Sequence, residues 1–345
     1  MKRFASTSIL AAALLASCSA EEESWELHTF QEPHMGTLYS IRSYAQQGGA
    51  QRGKVDDLTV LVHRAFDRVE ELNSIFSDYL PESELNELAK GPVGKPIPVS
   101  ADLYRILDLS KQLTEETDGA FDVTAGPLIR LWRIAKKNKR LPTPDQIGRA
   151  KARTGAHLID LDPVAKTVTK RAEGMLFDLG GIAKGYAADE VLSILKNGGF
   201  PHSLVAASGD IVVGDAPPGK NGWRIGIETL EIGAGLSDIN TVILVNQAIS
   251  TSADTRQFLE LDGNRYSHIV STKTGLGLTR RIGASVIASD ATTTDSHATA
   301  LTLLGAEEAL GWISGKKEVE ALIVVLEGNE ERIHATNGFP KEGIR

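Results

Sequence analysis

The sequence predicts an α+β fold, a compact mixed α/β body, on three observations. Helical periodicity is concentrated in the first half of the 345 residues and strand-like runs in the second. The strands recur without the regular intervening helix that a doubly wound parallel sheet needs. No fixed-period repeat runs along the chain. With 41% hydrophobic and 24% charged residues, the composition excludes a disordered chain, a fibrous repeat and a multi-span membrane protein. A net charge of −8 removes any global electrostatic case for nucleic-acid binding. No linker is long enough to split the body.

In chain order, residues 28–43 hold an amphipathic β-type stretch centred on 35–41, and 46–53 is turn material. Residues 55–75 repeat Leu58, Leu61, Val62, Ala65, Phe66, Val69 and Leu72 at the helical period. A short helix is expected at 82–89, a loop at 91–98, and a long helix over 100–117 opened by Ser100 as its cap. Helical pieces follow at 127–137 and 144–152, and the basic run 136–140 reads as a solvated helix end. Residues 157–160 and 167–170 form a strand pair around Asp162-Pro163, and 185–198 is a helix. Strands are expected at 203–207, 211–214, 223–227, 241–246, 248–251, 257–261 and 284–288. Helices at 295–304 and 306–316 precede two closing strands, 320–326 and 332–336.

The first segment stands apart. Lys2 and Arg3 precede an apolar run over 9–16, then Leu15-Ala16-Ser17-Cys18 and the acidic Glu21-Glu22-Glu23. The run is too short for a transmembrane helix and has the layout of a secretory signal. One reading is an ordinary signal with a chance cysteine. The sharper one is that Leu-x-x-Cys resembles the lipobox of bacterial lipoproteins. Cleavage would then leave Cys18 as an acylated, palmitate-type first residue. Cys18 is the single cysteine, so no internal disulfide is possible. The expected layout is a signal peptide over 1–17, a lipid-anchored tether over 18–28 and a catalytic body over 29–341. The expected location is a bacterial cell membrane, on its periplasmic side.

Three clusters carry chemistry. In the run from Phe177 to Asp189, a strand-like entry meets Gly180-Gly181, then Lys184, then a helix. Two glycines at a helix start allow close approach of a phosphate, and a lysine adds charge, although neither the Walker A nor the Gly-x-Gly-x-x-Gly spacing is present. A tight turn with a solvated lysine fits the spacing equally well. Asp295 and Thr299 stand at i and i+4, so a carboxylate and a hydroxyl share one helix face, a pairing suited to a hard cation such as Mg²⁺. The plainer reading makes Asp295 a helix cap. His268, in Tyr266-Ser267-His268-Ile269, is either a general base or a structural hydrogen-bonding histidine.

Together these segments resemble the FAD:protein FMN transferase (ApbE) family. The resemblance runs through Met35-Gly36-Thr37, Phe76-Ser77-Asp78-Tyr79, Phe121-Asp122-Val123-Thr124, Asp178-Leu179-Gly180-Gly181-Ile182-Ala183-Lys184-Gly185, Ser208-Gly209-Asp210, Tyr266-Ser267-His268-Ile269, and Asp295 with Thr299. It implies that FMN moves from FAD, the substrate, to a threonine or serine hydroxyl of an acceptor protein, forming a phosphoester and releasing AMP. It places Mg²⁺ on Asp295, Thr299 and a backbone carbonyl at Ala183. Flavin-binding positions map onto Met35, Tyr79, Phe121, Asp122, Lys184, Asp189 and the His268–Ile269 strand, with Gly180 and Gly181 at the phosphates. His268 is the expected base, Lys184 assists, and Asp210 orients or handles a proton. The expected acceptor is a membrane-associated or secreted redox protein. Related outcomes are FAD hydrolysis to FMN and AMP, flavin binding without turnover, and a periplasmic solute-binding protein. The chain departs from the family in carrying Ser271-Thr272 where an aspartate-proline pair is usual, and in its Ser296-His297 pair.

Overall fold

Residues in the middle of the chain alternate between two buried faces, and a sheet covered on both sides results. The computed structural model describes residues 24–47, 54–227, 240–253, 258–261, 263–328 and 330–340. The leader and Cys18 lie outside them. An eight-stranded antiparallel sheet is built from β1 (Ser24–His34), β2 (Thr37–Gln47), β6 (Ser203–Ala207), β7 (Asp210–Val213), β10 (Gln247–Ala253), β13 (Arg281–Ala288), β14 (Glu320–Glu327) and β15 (Glu330–Ala335), adjacent in that order. Period-two alternation sends Val205, Ala207 and Val212 into the core beneath the helices, and Leu204 and Val213 to the opposite face.

The helices on the first face are α1 (Lys54–Phe76), α6 (Ala183–Asn197) and α7 (Ala291–Leu304). In α1, Leu58, Val62, Ala65, Phe66, Val69 and Leu72 are all buried, as the periodicity requires. Pairing of β8 (Trp223–Ile227) with β9 (Asn240–Leu244) covers the other face through Trp223, Ile225, Ile227, Val242 and Leu244. Beside this body lie α2 (Glu84–Lys90), α3 (Ala101–Glu116) and a three-stranded sheet of β3 (Ile97–Pro98), β5 (Thr167–Lys170) and β4 (Ile159–Asp162). A separate cluster joins α4 (Gly126–Asn138) and α5 (Pro144–Lys151) to the hairpin of β11 (Phe258–Leu261) and β12 (Asn264–Ser267) around Trp132 and Tyr266. The short α8 (Ala306–Ile313) packs on β14.

Ser100 caps α3 as expected, accepting from the Leu103 N–H at 3.1 Å. Several boundaries differ from the sequence reading. Residues 24–28 belong to β1 rather than to a tether. Met35 and Gly36 interrupt the expected strand: both have positive φ (48° and 72°), and they form the two-residue turn that closes the β1–β2 hairpin. Helix α7 begins four residues before Asp295, because Asp290 caps it by accepting from the Thr293 N–H at 2.8 Å. Asp295 is therefore not a cap. Strand β12 ends at Ser267, so His268 and Ile269 follow the strand instead of forming one.

The α6–α7 crossing is closer than any side chain at position 185 allows. A Cβ built on Gly185 meets the Ala291 carbonyl oxygen at 2.1 Å and Asp295 Cβ at 2.9 Å. Both obstacles sit on or beside a helix backbone and cannot swing away. Gly185→Ala should therefore cost about 3 kcal/mol, the upper end for overpacking, read as a lower midpoint in urea. An unchanged midpoint would mean that the two helices separate freely.

Candidate active site

One cavity of about 470 Å³ collects side chains from distant segments. From the predicted set it is lined by Tyr79, Phe121, Asp122, Gly180, Gly181, Lys184, Asp210, His268, Ile269, Asp295 and Thr299. Loops, the start of α6 and one face of α7 supply them. Asp210 opens β7 after a tight turn in which Ser208 has φ 60°. Asp295 and Thr299 project from the cavity face of α7, and Lys184 from the first turn of α6.

The centre is an ion cluster. The Lys184 ammonium donates to Asp210 and lies 3.5 Å from Asp295 Oδ2. Asp295 Oδ2 also accepts from the Gly185 N–H at 3.0 Å. Both carboxylates are almost fully buried, at 4% exposure each. Two carboxylates therefore share one lysine. Burial, and then the neighbouring Asp210, pushes the Asp295 carboxyl well above the usual carboxylate range. Burial alone would lower the Lys184 ammonium, but Asp295 and Asp210 outweigh it and hold the lysine charged. With both carboxylates ionised, the cluster holds one negative charge more than Lys184 balances, and a bound cation would neutralise it.

The glycine turn lies against Thr299. A Cβ at Gly181 would sit 3.0 Å from both Thr299 Oγ1 and Cγ2, so the backbone of residues 180–181 reaches the hydroxyl only because no side chain intervenes. Asp178 fixes this turn: its Oδ1 accepts from the Gly180 N–H at 2.9 Å and its Oδ2 from Arg133 at 2.7 Å. Arg133 forks to Asp78 as well, and its guanidinium carbon stands 4.5 Å from the Tyr79 ring centroid. Tyr79 itself is 74% exposed at the rim. A planar ligand ring could stack there. On the wall, Asp122 Oδ1 accepts from the Thr124 N–H and Oγ1 at 2.8 and 2.7 Å, and burial raises its carboxyl. Ile269 is buried, whereas His268 is exposed to the cavity.

Three sequence-predicted positions do not line this cavity. Met35 occupies the hairpin turn, where its sulfur accepts from the Tyr39 hydroxyl at 3.3 Å. Ala183 is buried as the first residue of α6. Asp189 faces a second cavity and accepts from the Ala291 N–H (2.7 Å) and from the Thr292 N–H (2.8 Å) and Oγ1 (2.6 Å). Its work is to hold the start of α7. His297 also turns to that second cavity, 4.9 Å from the Trp312 ring, and burial lowers its imidazole to about 4. It packs away from Asp295 and Thr299.

Sequence reasoning missed Arg133, the anchoring task of Asp178, and Tyr39. Tyr39 is fully buried, its hydroxyl 3.5 Å from the Lys184 carbonyl, and burial holds its phenol far above the usual value. Nothing in local spacing joins Tyr39 to residues 145 positions away. The Ser271-Thr272 departure is accommodated: Ser271 Oγ accepts from the Thr274 N–H at 3.3 Å, and Thr272 Oγ1 donates to the Gly119 carbonyl at 2.7 Å. A serine hydroxyl thus closes the turn an aspartate would close.

An α+β body with a glycine turn, a buried lysine and two carboxylates around one polar cavity belongs to the class of proteins equipped for a phosphorylated ligand. The ApbE family model matches residues 35–323, and the chain belongs to the ApbE family. The FAD:protein FMN transferase of Vibrio cholerae serotype O1 is 29% identical over 331 residues, covering 94% of this chain and 95% of that protein. One from Klebsiella pneumoniae is 31% identical over 285 residues, covering 80% and 78%. The solved flavin transferase ApbE from Vibrio cholerae superposes with a TM-score of 0.79 at 28% identity, covering 92% of this chain and 99% of its own. The apo flavinyl transferase ApbE of Pseudomonas stutzeri gives the same score and identity over 93% and 97%.

Proposed function

We propose that this protein transfers FMN from FAD to a threonine or serine hydroxyl of an acceptor protein, with AMP as the leaving group. The observation that carries the reading is the single cavity shared by Lys184, His268, Asp295, Thr299 and the Gly180–Gly181 turn. Its volume is in the range of sites for ligands of this kind.

The oxygen of the acceptor hydroxyl attacks the FMN-side phosphorus, and the bond from that phosphorus to the AMP oxygen breaks. His268, exposed to the cavity, takes the hydroxyl proton. Lys184 offsets charge on the pyrophosphate, held in place by Asp210. The Gly180 and Gly181 backbone lets the phosphates approach closely. Tyr79 and Phe121 flank the flavin ring, and Asp122 and Ile269 complete the wall. Met35 and Asp189 act at a distance, through Tyr39 and through α7.

Among the described residues no cluster of three or more His, Cys, Asp or Glu marks a metal centre by itself. The oxygen donors of Asp295 and Thr299, which both line the cavity, suit Mg²⁺, a hard cation; the carbonyl that the resemblance implies at Ala183 would be a further ligand. When bound there, Mg²⁺ supplies positive charge against the phosphoryl oxygens. Among the described residues no helix is long and apolar enough to cross a membrane. Acylated Cys18 as a periplasmic membrane anchor is part of the same reading.

The test incubates the protein with FAD and Mg²⁺, with and without an acceptor domain. Covalent flavin fluorescence on the acceptor is the expected result; free FMN and AMP in its presence identify a hydrolase, and unchanged FAD a binder. Chelation should stop the reaction and fresh Mg²⁺ restore it. Arg133→Met should weaken FAD binding about tenfold, roughly 1.4 kcal/mol, because it frees Tyr79 and leaves Asp178 without its cation. Fluorescence titration checks this, and an unchanged Kd assigns Arg133 no part in ring binding.

A further inference from the structure

Residues 126–154, spanning α4 and α5, carry nine Lys or Arg and one acid, Asp145, in a chain whose net charge is −8. Basic residues at a helix end complement its dipole. That accounts for Lys136 and Lys137 in the last turn of α4 and for no others on that helix. Arg130, Lys137, Lys139 and Arg140 are exposed, and no acidic side chain pairs with them among the described residues.

The charge is placed next to the cavity. On α4, Ile129, Trp132, Arg133 and Lys136 line the cavity, whereas Arg130, Leu131 and Ile134 line a groove of about 330 Å³ against Arg149 and Arg153 near α5. At 100° per residue, Arg133, Lys137 and Arg130 fall on adjacent strips of the helix, so one basic stripe runs from the cavity rim to the groove. The groove has an apolar floor that includes Pro127, Leu131 and Leu176, and Ile134 is 48% exposed beside it. Lys151 on α5 donates to the Lys273 carbonyl, tying this face to the turn whose Thr272 also lines the cavity.

We propose that the α4–α5 face is the docking surface for an acidic segment of the acceptor protein, and that binding there delivers the target hydroxyl to the rim at Arg133. The proposal rests on the transferase reading. Three features favour a polypeptide over an anionic lipid surface. The stripe leads into the cavity, the groove has an apolar floor suited to side chains, and a bilayer lying on this face would cover the cavity mouth. Such a surface raises the encounter rate of an acidic partner and acts less at high salt, since charges beyond a Debye length are screened.

The test uses a synthetic peptide with one threonine flanked by aspartates, its counterpart with asparagines, and vesicles of phosphatidylglycerol. Binding to the full chain is read by fluorescence anisotropy for the peptides and by sedimentation for the vesicles, in the absence of FAD. One variant combines Arg130→Gln, Lys137→Gln and Arg140→Gln. A control removes the same charge elsewhere, through Lys95→Gln, Lys220→Gln and Lys317→Gln. The native chain and the control should bind the aspartate peptide at least about tenfold more tightly than the first variant or the asparagine peptide, and the difference should shrink with added salt. FAD affinity should be the same in all three proteins, which shows that they are folded. Equal peptide binding by native chain and first variant, no binding by either, or stripe-dependent sedimentation with vesicles in place of peptide binding would each overturn the proposal. Those failures leave FMN transfer untouched, whereas absent covalent flavin on any acceptor defeats the transferase reading without altering the peptide result.

Discussion

Asp295→Asn should lower FMN transfer by on the order of 10²–10³-fold while the protein stays folded. The amide oxygen of asparagine can still accept from the Gly185 N–H, so the α6–α7 contact survives. What disappears is an ionisable carboxyl at 4% exposure, beside Thr299 and within reach of Lys184. On the proposed mechanism, that carboxylate is an anchor for the neutralising cation. FAD binding should change far less than turnover, because Tyr79, Phe121 and the glycine turn are untouched. Covalent fluorescence on the acceptor measures the rate and thermal melting confirms the fold. Turnover within a few-fold of the native chain would remove Asp295 from the chemistry.

Lys184→Met should lower stability in addition to removing the charge proposed to face the pyrophosphate. The lysine side chain is 27% exposed, yet its ammonium meets Asp210 and approaches Asp295, both at 4% exposure. Methionine keeps most of the packing volume and leaves two buried carboxylates facing one another. Removing one partner of such a buried set typically costs about 3–5 kcal/mol. The double change Lys184→Met with Asp210→Asn should recover a large part of that loss, since it restores the charge balance. Urea unfolding of the three variants decides the matter. If the double variant is no more stable than the single, the ammonium and Asp210 are energetically independent, and the cluster is not a unit.

Much of the molecule was legible in the sequence where local pattern and tertiary demand agree. The heptad-like spacing in α1, the serine cap of α3 and the i, i+4 pair Asp295 and Thr299 each answer to geometry a few residues long. The misreadings have a common physical origin. Met35 looks like a strand residue, and only pairing with β1 turns it into a left-handed hairpin corner. Asp295 has the residue type of a cap, but Asp290 is the one placed to meet the Thr293 N–H. Asp189 sits within a motif that implies ligand contact, yet it holds the Ala291 and Thr292 amides and the Thr292 hydroxyl, 102 and 103 positions away. Arg133 carries no sequence signal, because its importance lies in the three residues it joins: Asp78, Tyr79 and Asp178. Contacts closed by the fold leave no periodic trace along the chain.

The two helices that bear Lys184 and Asp295 hold each other reciprocally. Asp189 on α6 grips the first amides of α7, and Asp295 on α7 grips the amide of Gly185 on α6. Neither helix can fray at its start without breaking bonds to the other. They should behave as a single plate, and deuterium should enter the amides of Gly185, Ala291 and Thr292 only when the whole molecule opens. On heating, the two helices should therefore come apart together rather than in stages.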